Sequence, residues 1–401
     1  MRPLDSIRVL DLSRVLAGPY CTQMLADMGA QVIKVEHPDG GDETRRFGPP
    51  FVEGESAYFL SINHGKRSLT VDLKNPGGLD LIRRLIATSD VLVENFRPGV
   101  LTRMGLGEEQ LLAVHPRLVY VSVTGFGHHG DPDYVRRPGY DPILQNMSGL
   151  TSLTGPADGA PFKHGTSIAD IVAGIYAAYG TVLALYARER TGRGQHVDVS
   201  LLDGQVSLLA YHAGFVAATG QAPPRHGNAH PSIVPYQTFR ARDGHVVIGA
   251  ANDKFFGLLA DLLGHPEWKD DPRFAHNPSR VENREALLDL IEPRIAERDV
   301  QDWIRDLEGA GIPVGPVLDA KQVLELGHLR QRGMVVDLHH PTAGTVQVTG
   351  VPVRLSETPG RVEGAPPLLG ADTDDILREV LGLDDDAITR LRDSGAIGSR
   401  R

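Results

Sequence analysis

Cysteine is almost absent. The 401 residues hold one, Cys21, which excludes a disulfide framework and a cysteine-based zinc site. An excess of positive charge is missing too. The formal charge of −10 leaves no broad basic face of the kind that nucleic acid or a membrane surface requires, although a local basic pocket remains compatible with it. No apolar run reaches the roughly 20 residues of a membrane span. The chain opens directly into Ile7-Arg8-Val9-Leu10-Asp11-Leu12, without the charged, apolar and cleavage regions of a secretory leader. The expectation is a cytoplasmic protein with no nucleic acid and no membrane among its partners. Glycine and proline are abundant instead (45 and 28). They lie between periodic segments, so they mark turns rather than disorder.

Several catalytic signatures are missing as well. The turn after the first predicted strand, Ser13-Arg14-Val15-Leu16-Ala17-Gly18-Pro19, carries one glycine. A dinucleotide fingerprint needs three for the pyrophosphate to approach a helix N-terminus. Glu36, at the end of the second strand, is therefore read as a strand-end residue and not a ribose ligand. Gly65-Lys66-Arg67-Ser68 imitates the tail of a P-loop, but Leu60 stands where the first glycine belongs. No G-x-S-x-G elbow and no H-E-x-x-H zinc motif occur. His128, His129, Asp131 and Asp133 form a group in a Gly/Pro-rich loop without helical spacing, which reads as exposed loop, so no metal is expected. Cys21 has no base supplied by its neighbours and reads as a small buried residue.

What is present is alternation of strand and helix. Apolar runs predict strands at 7–12, 31–36, 91–93, 118–123 and 196–201. Helices are predicted from Pro19 to Gly29, over 76–88 and over 168–190. This pattern implies an α/β fold with a doubly wound parallel sheet. Ala173, Gly174, Ala177, Ala178 and Gly180 give the 168–190 helix a surface that another backbone can approach closely. The length suggests two domains. A large domain is expected over 1–220, a Pro/His/Gly-rich linker over 221–235, a smaller α+β domain over 236–330 and a return segment over 331–401. Lys66, Arg67, Lys74, Arg97 and Arg103 are expected near the C-terminal strand ends, where ligands bind in open sheets and where a polyphosphate would find partners. Ser167-Ile168-Ala169-Asp170 fits a capping box, so Asp170 by its local pattern reads first as a helix cap.

Leu10–Pro19, Gly29–Glu36, Val93-Glu94-Asn95-Phe96-Arg97-Pro98-Gly99, Met104-Gly105, Gly139-Tyr140-Asp141-Pro142, Ser167–Asp170, Thr191-Gly192-Arg193-Gly194-Gln195, Pro266–Phe274 and Gly311–Val317 follow one another along most of the chain. Through these segments, in this order, the chain resembles the family III CoA-transferases, the group of formyl-CoA transferase and carnitine-CoA transferase. It implies a Rossmann-like large domain, a smaller domain and two chains interlocked as a homodimer. It implies that Asp170 is the nucleophile, passing through an aspartyl mixed anhydride and an aspartyl-CoA thioester. Such a carboxylate, ionised at neutral pH near its ordinary pKa of about 3.9, needs no general base. The backbone of Leu16 and Ala17 corresponds to the oxyanion region. Contacts to coenzyme A carry over to His37, Val71, Lys74, Asn95, Phe96, Arg103, Met104 and Tyr140. Arg14, Arg46, Asp141 and His230 fall at the substrate pocket, and Arg14, Arg46 and His37 could pair with a second carboxylate such as that of a succinyl donor.

Three departures stand out. The family's basic residue after the second strand is His37 here. Formyl-CoA transferase has Gln at the position of Leu16, which argues against a formyl/oxalate pair. Its glycine-rich loop corresponds to Asn228-Ala229-His230-Pro231. The implied substrates are an acyl-CoA and a carboxylic acid, with no tightly bound cofactor. The alternatives are an alpha-methylacyl-CoA racemase, whose His-Asp pair is replaced here by Tyr140-Asp141, and a non-catalytic CoA-binding protein in which Asp170 only caps its helix.

Overall fold

The computed structural model describes residues 1–399. Contacts group the chain into two compact units. One comprises Met1–Leu150, Lys163–Ala213 and the described residues from Gly327 onward; the other comprises Thr151–Phe162 and Gly214–Leu326. The segment Thr151–Phe162 thus clusters with the second unit, whereas the sequence boundaries place it in the large domain.

The first unit is built on six strands: β1 (Arg8–Asp11), β2 (Gln31–Glu36), β3 (Lys66–Thr70), β4 (Val91–Glu94), β5 (Val119–Thr124) and β6 (His196–Ser200). They are all parallel, in the order β3-β2-β1-β4-β5-β6. This 3-2-1-4-5-6 order is that of a doubly wound sheet, with its reversal point between β1 and β4. Five of the six strands stand close to their predicted positions. The sixth, β3, is absent from the sequence pattern because Lys66, Arg67, Ser68 and Thr70 leave it a single aliphatic residue, Leu69. Its open edge is covered by a distant segment: Ser68 N–H donates to Asp372 Oδ2 (2.8 Å), and Asp372 N–H donates to Ser68 O (3.2 Å). Lys66 and Arg67 therefore begin a strand, opposite to the expected C-terminal end. Lys66 is buried, and Arg67 pairs with Glu379.

Helix α1 (Ala17–Asp27) follows β1, α2 (Pro76–Ala87) follows β3, and α3 (Asp141–Met147) precedes the long α4 (Ile168–Thr191). One sheet face packs Val9, Val93, Val121 and Val199 against Cys21 and Leu25 of α1 and Ala173, Ala177 and Ala184 of α4. The other packs Leu10, Leu92 and Tyr120 against Leu81 and Leu85 of α2 and against Ile376, Leu377 and Ile388 of the C-terminal helices. A Cβ on Gly174 would lie 2.7 Å from Ala17 O, so a glycine is what lets α4 cross α1 at this depth. By length and composition, α4 is apolar enough to cross a membrane, with half of its most apolar window buried in the fold. The expectation of no such run is corrected on that point, because the apolar character of α4 comes largely from alanines that pack on α1 and the sheet.

In the second unit, β7 (Tyr236–Arg240), β8 (His245–Gly249) and β9 (Val314–Pro316) form an antiparallel sheet. It packs around Phe239, Phe256, Phe274 and Trp303.

A network of buried charges joins β1, β2 and β3. Asp11 Oδ2 accepts from Thr22 Oγ1 (2.6 Å) and Lys66 Nζ (3.3 Å), and Asp11 Oδ1 accepts from Ser13 N–H (2.9 Å) and the Ser13 hydroxyl. Lys66 Nζ also donates to Pro19 O (2.8 Å) and Asn63 Oδ1 (2.9 Å). Lys34 Nζ donates to Asp42 Oδ2 (2.9 Å) and Ser13 O (3.1 Å). Burial is the largest influence on each group. It pulls Lys66 down to about 8, whereas for Asp11 the Lys66 and Lys34 ammoniums overcome burial and hold the carboxyl below its usual range. Glu36 is consumed in the same layer by Arg45 (2.6 and 2.7 Å) and Ser68 (2.7 Å), which leaves no oxygen for a ribose.

Removing one member of a buried pair strands the other charge. Asp42→Ala should therefore cost about 3–5 kcal/mol in urea unfolding; a loss under about 1 kcal/mol would mean that Lys34 is satisfied without it.

Candidate active site

The turn Ser13–Ala17 leaves β1 at the C-terminal edge of the sheet, beside the reversal point. Its shape is imposed from several sides. Asn95, just beyond β4, accepts from Arg14 N–H through Oδ1 (2.9 Å) and donates to Arg14 O through Nδ2 (2.6 Å). Asp42 accepts from Val15 N–H at 3.3 Å. Val15 has φ +67°, a left-handed conformation costly for a β-branched side chain. The strain persists because the surrounding hydrogen bonds determine the backbone. Its effect is to present Leu16 and Ala17 at the start of α1, where the first-turn amides have no intrahelical acceptor.

Leu16, Ala17 and Asp170 line one cleft of about 220 Å³, together with Arg14, Asn95, Phe96, Arg97, Arg137 and Tyr140. A second cavity of about 340 Å³ adjoins it. That one is lined by His37, Arg46, Val71, Lys74 and Met104, and shares Arg14, Glu43 and Phe96 with the first. Together they form one groove along the C-terminal strand ends.

The structure thus brings most of the sequence-predicted residues into this groove, with three outside it. Arg103 is exposed at the end of the short helix Val100–Arg103 and lines neither cavity. His230 belongs to the second unit, where its ring lies against Tyr236. Asp141 is buried behind the cleft wall. Arg46 and His37, expected as partners of a second carboxylate, stand with Lys74 in the second cavity and not beside Asp170.

The expected capping box does not form. Ser167, the N-cap of α4, makes no side-chain cap bond. Asp141 caps instead: its Oδ1 accepts from Ala169 N–H (2.9 Å) and its Oδ2 accepts from Gln145 Nε2 (2.8 Å). Gln145 in turn donates to Thr166 O (3.1 Å) and accepts from His164 N–H (2.8 Å). Asp170 is thereby released from capping. Among the described residues no donor bonds its carboxylate, which faces the cleft.

The protonation of Asp170 also differs from the expectation of full ionisation. Burial, and then the Asp141 carboxylate beside it, raise its pKa to about 7. At neutral pH the two protonation states are comparably populated. Tyr58 reports the same field. Burial and the carboxylates of Asp170, Asp42 and Asp141 push its phenol up to about 12, which places a neutral hydroxyl near Asp170. Nothing in the sequence around Tyr58 marks it, since it reaches the site only through the packing of its short helix, Ala57–Ile62.

The sign of the resulting stability effect follows from linkage. The unfolded carboxyl titrates near 3.9, and the folded one near 7. The folded state keeps a proton that the unfolded state releases, so this group costs stability as pH rises from about 4 to 7. Asp170→Asn removes that cost. Its Tm advantage over the wild type should grow between pH 5 and pH 8; an advantage that stays constant across this range would contradict the raised pKa.

Comparison with known proteins agrees with this architecture. The family model described as CoA-transferase family III matches residues 4–373. Succinyl-CoA:glutarate CoA-transferase of Mus musculus is 44% identical over 398 residues, covering 99% of this chain and 91% of that protein. Succinate–glutarate CoA-transferase of Agrobacterium fabrum is 42% identical, covering 94% of this chain and 96% of its own. The crystal structure of a CAIB/BAIF family protein from Brucella suis superposes with a TM-score of 0.86 at 43% identity, over 94% of this chain and 99% of that one. With its parallel sheet, its groove and these relatives, the chain belongs to CoA-transferase family III.

Proposed function

We propose that this CoA-transferase moves coenzyme A from a succinyl-CoA-type donor to a dicarboxylic acid, with Asp170 as the covalent relay. The observation that carries the proposal is the unbonded Asp170 carboxylate, facing the same cleft as the α1 amides of Leu16 and Ala17. The relatives named for glutarate transfer support the dicarboxylate class.

In the first step the Asp170 carboxylate attacks the thioester carbonyl. The C–S bond breaks, giving a mixed anhydride and a CoA thiolate. The thiolate then attacks the Asp170 carbonyl, forming an enzyme–CoA thioester and releasing the donor acid as its carboxylate. The acceptor carboxylate attacks that thioester, and the returning thiolate takes the acceptor acyl group. Every step conserves charge, and no proton has to move. Covalent relay keeps the activated acyl group from water. The oxyanion of each tetrahedral state is stabilised by the amides at the start of α1. Coenzyme A lies along the groove, with its phosphates toward His37, Arg46 and Lys74 and its thioester end passing Phe96 to Asp170. The rival reading, in which Asp170 only caps α4, loses its support because Asp141 makes that cap.

The active form is a homodimer. One face of α4 leaves Ile175, Tyr179, Val182, Leu183 and Tyr186 exposed, a contiguous apolar stripe of the kind that marks an interface. A Rossmann-like large domain, two interlocked chains and a cytoplasmic location complete the proposal.

Substitution, trapping, pH and sedimentation each have an expected outcome. Asp170→Ala should abolish acyl exchange while CoA binding survives, and wild-type turnover in that variant would refute the mechanism. Donor and hydroxylamine should leave a mass adduct at Asp170 in the wild type. The initial rate should rise with pH through about 7 as Asp170 ionises. Asp141→Asn keeps the capping oxygen but removes a like charge, so it should move that limb to lower pH; an unmoved limb would show that Asp141 does not set it. Sedimentation should give twice the chain mass for the wild type, and Tyr179→Glu with Leu183→Glu should shift it toward the monomer.

A further inference from the structure

We infer that Arg137 reads the remote carboxylate of the transferred acid and makes the enzyme selective for dicarboxylic over monocarboxylic acyl groups; this rests on the transfer mechanism proposed above. Five charged side chains line the Asp170 cleft: Arg14, Arg97, Arg137, Glu43 and Asp170 itself. Arg14 is already engaged. Its Nη1 donates to Glu43 Oε1 at 2.8 Å, and its guanidinium stacks on Phe96 at 5.1 Å. Arg97 lines the same cleft and not the second cavity, and among the described residues its guanidinium has neither a carboxylate nor an aromatic partner to orient it. Arg136 does not line the cleft and is paired with Asp133.

Arg137 is set apart from Arg97 by its aromatic neighbour. It belongs to the stretch Val135–Tyr140, of which every lining residue faces the Asp170 cleft and none the second cavity. Among the described residues its guanidinium has no carboxylate partner. Its one recorded contact is a face of Tyr134, with the guanidinium carbon 4.2 Å from the ring centroid. The aromatic ring fixes the plane of the guanidinium and leaves its N–H edge free, the arrangement suited to a bidentate carboxylate. A cation placed here also offsets the repulsion that a dicarboxylate would meet from Asp170 and Glu43.

The test uses the full-length protein and two donors, succinyl-CoA and butyryl-CoA, which share the coenzyme and differ by a terminal carboxylate against a methyl group. Arg137→Met should lower kcat/KM for succinyl-CoA roughly 10- to 100-fold through KM, as expected for one charge-assisted pair, and leave butyryl-CoA within about twofold. Arg137→Lys should recover part of the selectivity. An equal loss on both donors would assign Arg137 to the coenzyme itself, and a selective loss in Arg97→Met but not Arg137→Met would move the site; either result overturns the inference. A wild type that exchanges CoA with no acid would fail the transferase mechanism instead, and is distinguishable from both.

Discussion

The ion pairs buried beneath the Ser13–Ala17 turn hold the rest of the site in place. Asp11, Lys66, Lys34 and Asp42 are all essentially inaccessible, and charges in that position cost several kcal/mol each unless they are fully paired. Here they are shared among three adjacent strands, the Ser13 backbone and the Asp42 side chain, so each charge meets more than one partner. What the arrangement supplies is geometry. It sets the direction in which the chain leaves β1, holds Val15 in a strained conformation and turns the first amides of α1 toward the groove. An apolar core of the same volume would fill the space without specifying that turn.

The second constraint is the division of labour between two carboxylates. A helix N-terminus attracts a carboxylate, and both Asp141 and Asp170 lie near the start of α4. Asp141, anchored through Gln145, takes the amide hydrogen bond. Asp170 is left desolvated, next to a like charge and without a donor. Its pKa of about 7 is the mark of a carboxylate kept energetically expensive, and a more basic carboxylate is a better nucleophile toward a thioester. Stability is given up at the residue proposed to carry the chemistry, a trade common at active sites.

The same physics explains which features were legible in the primary structure. Strands β1, β2, β4 and β5 are written as aliphatic runs, and α4 as a long stretch rich in small residues; both reflect burial on a sheet covered on each side. Strand β3 is not legible, because Arg67, Ser68 and Thr70 find partners about 300 positions away, in Glu379, Gly370, Asp372 and Thr373. The Ser167–Asp170 capping box misled for a related reason. A local motif competes with any tertiary group able to make the same bond, and Asp141 won that competition. Tyr58 and Arg137 carry no local signature at all.

The sequence by itself determined the alternation of strand and helix, the parallel sheet and, through motifs in register along most of the chain, the family. These depend on periodicity and on short segments whose neighbours lie nearby in the chain. The tertiary structure decided the protonation of Asp170, the capping role of Asp141, the burial of Lys66 and the placing of Arg46 and His37 in a cavity apart from Asp170. Each of these depends on desolvation and on charges brought within a few ångströms by folding, and neither quantity is defined until the chain has packed.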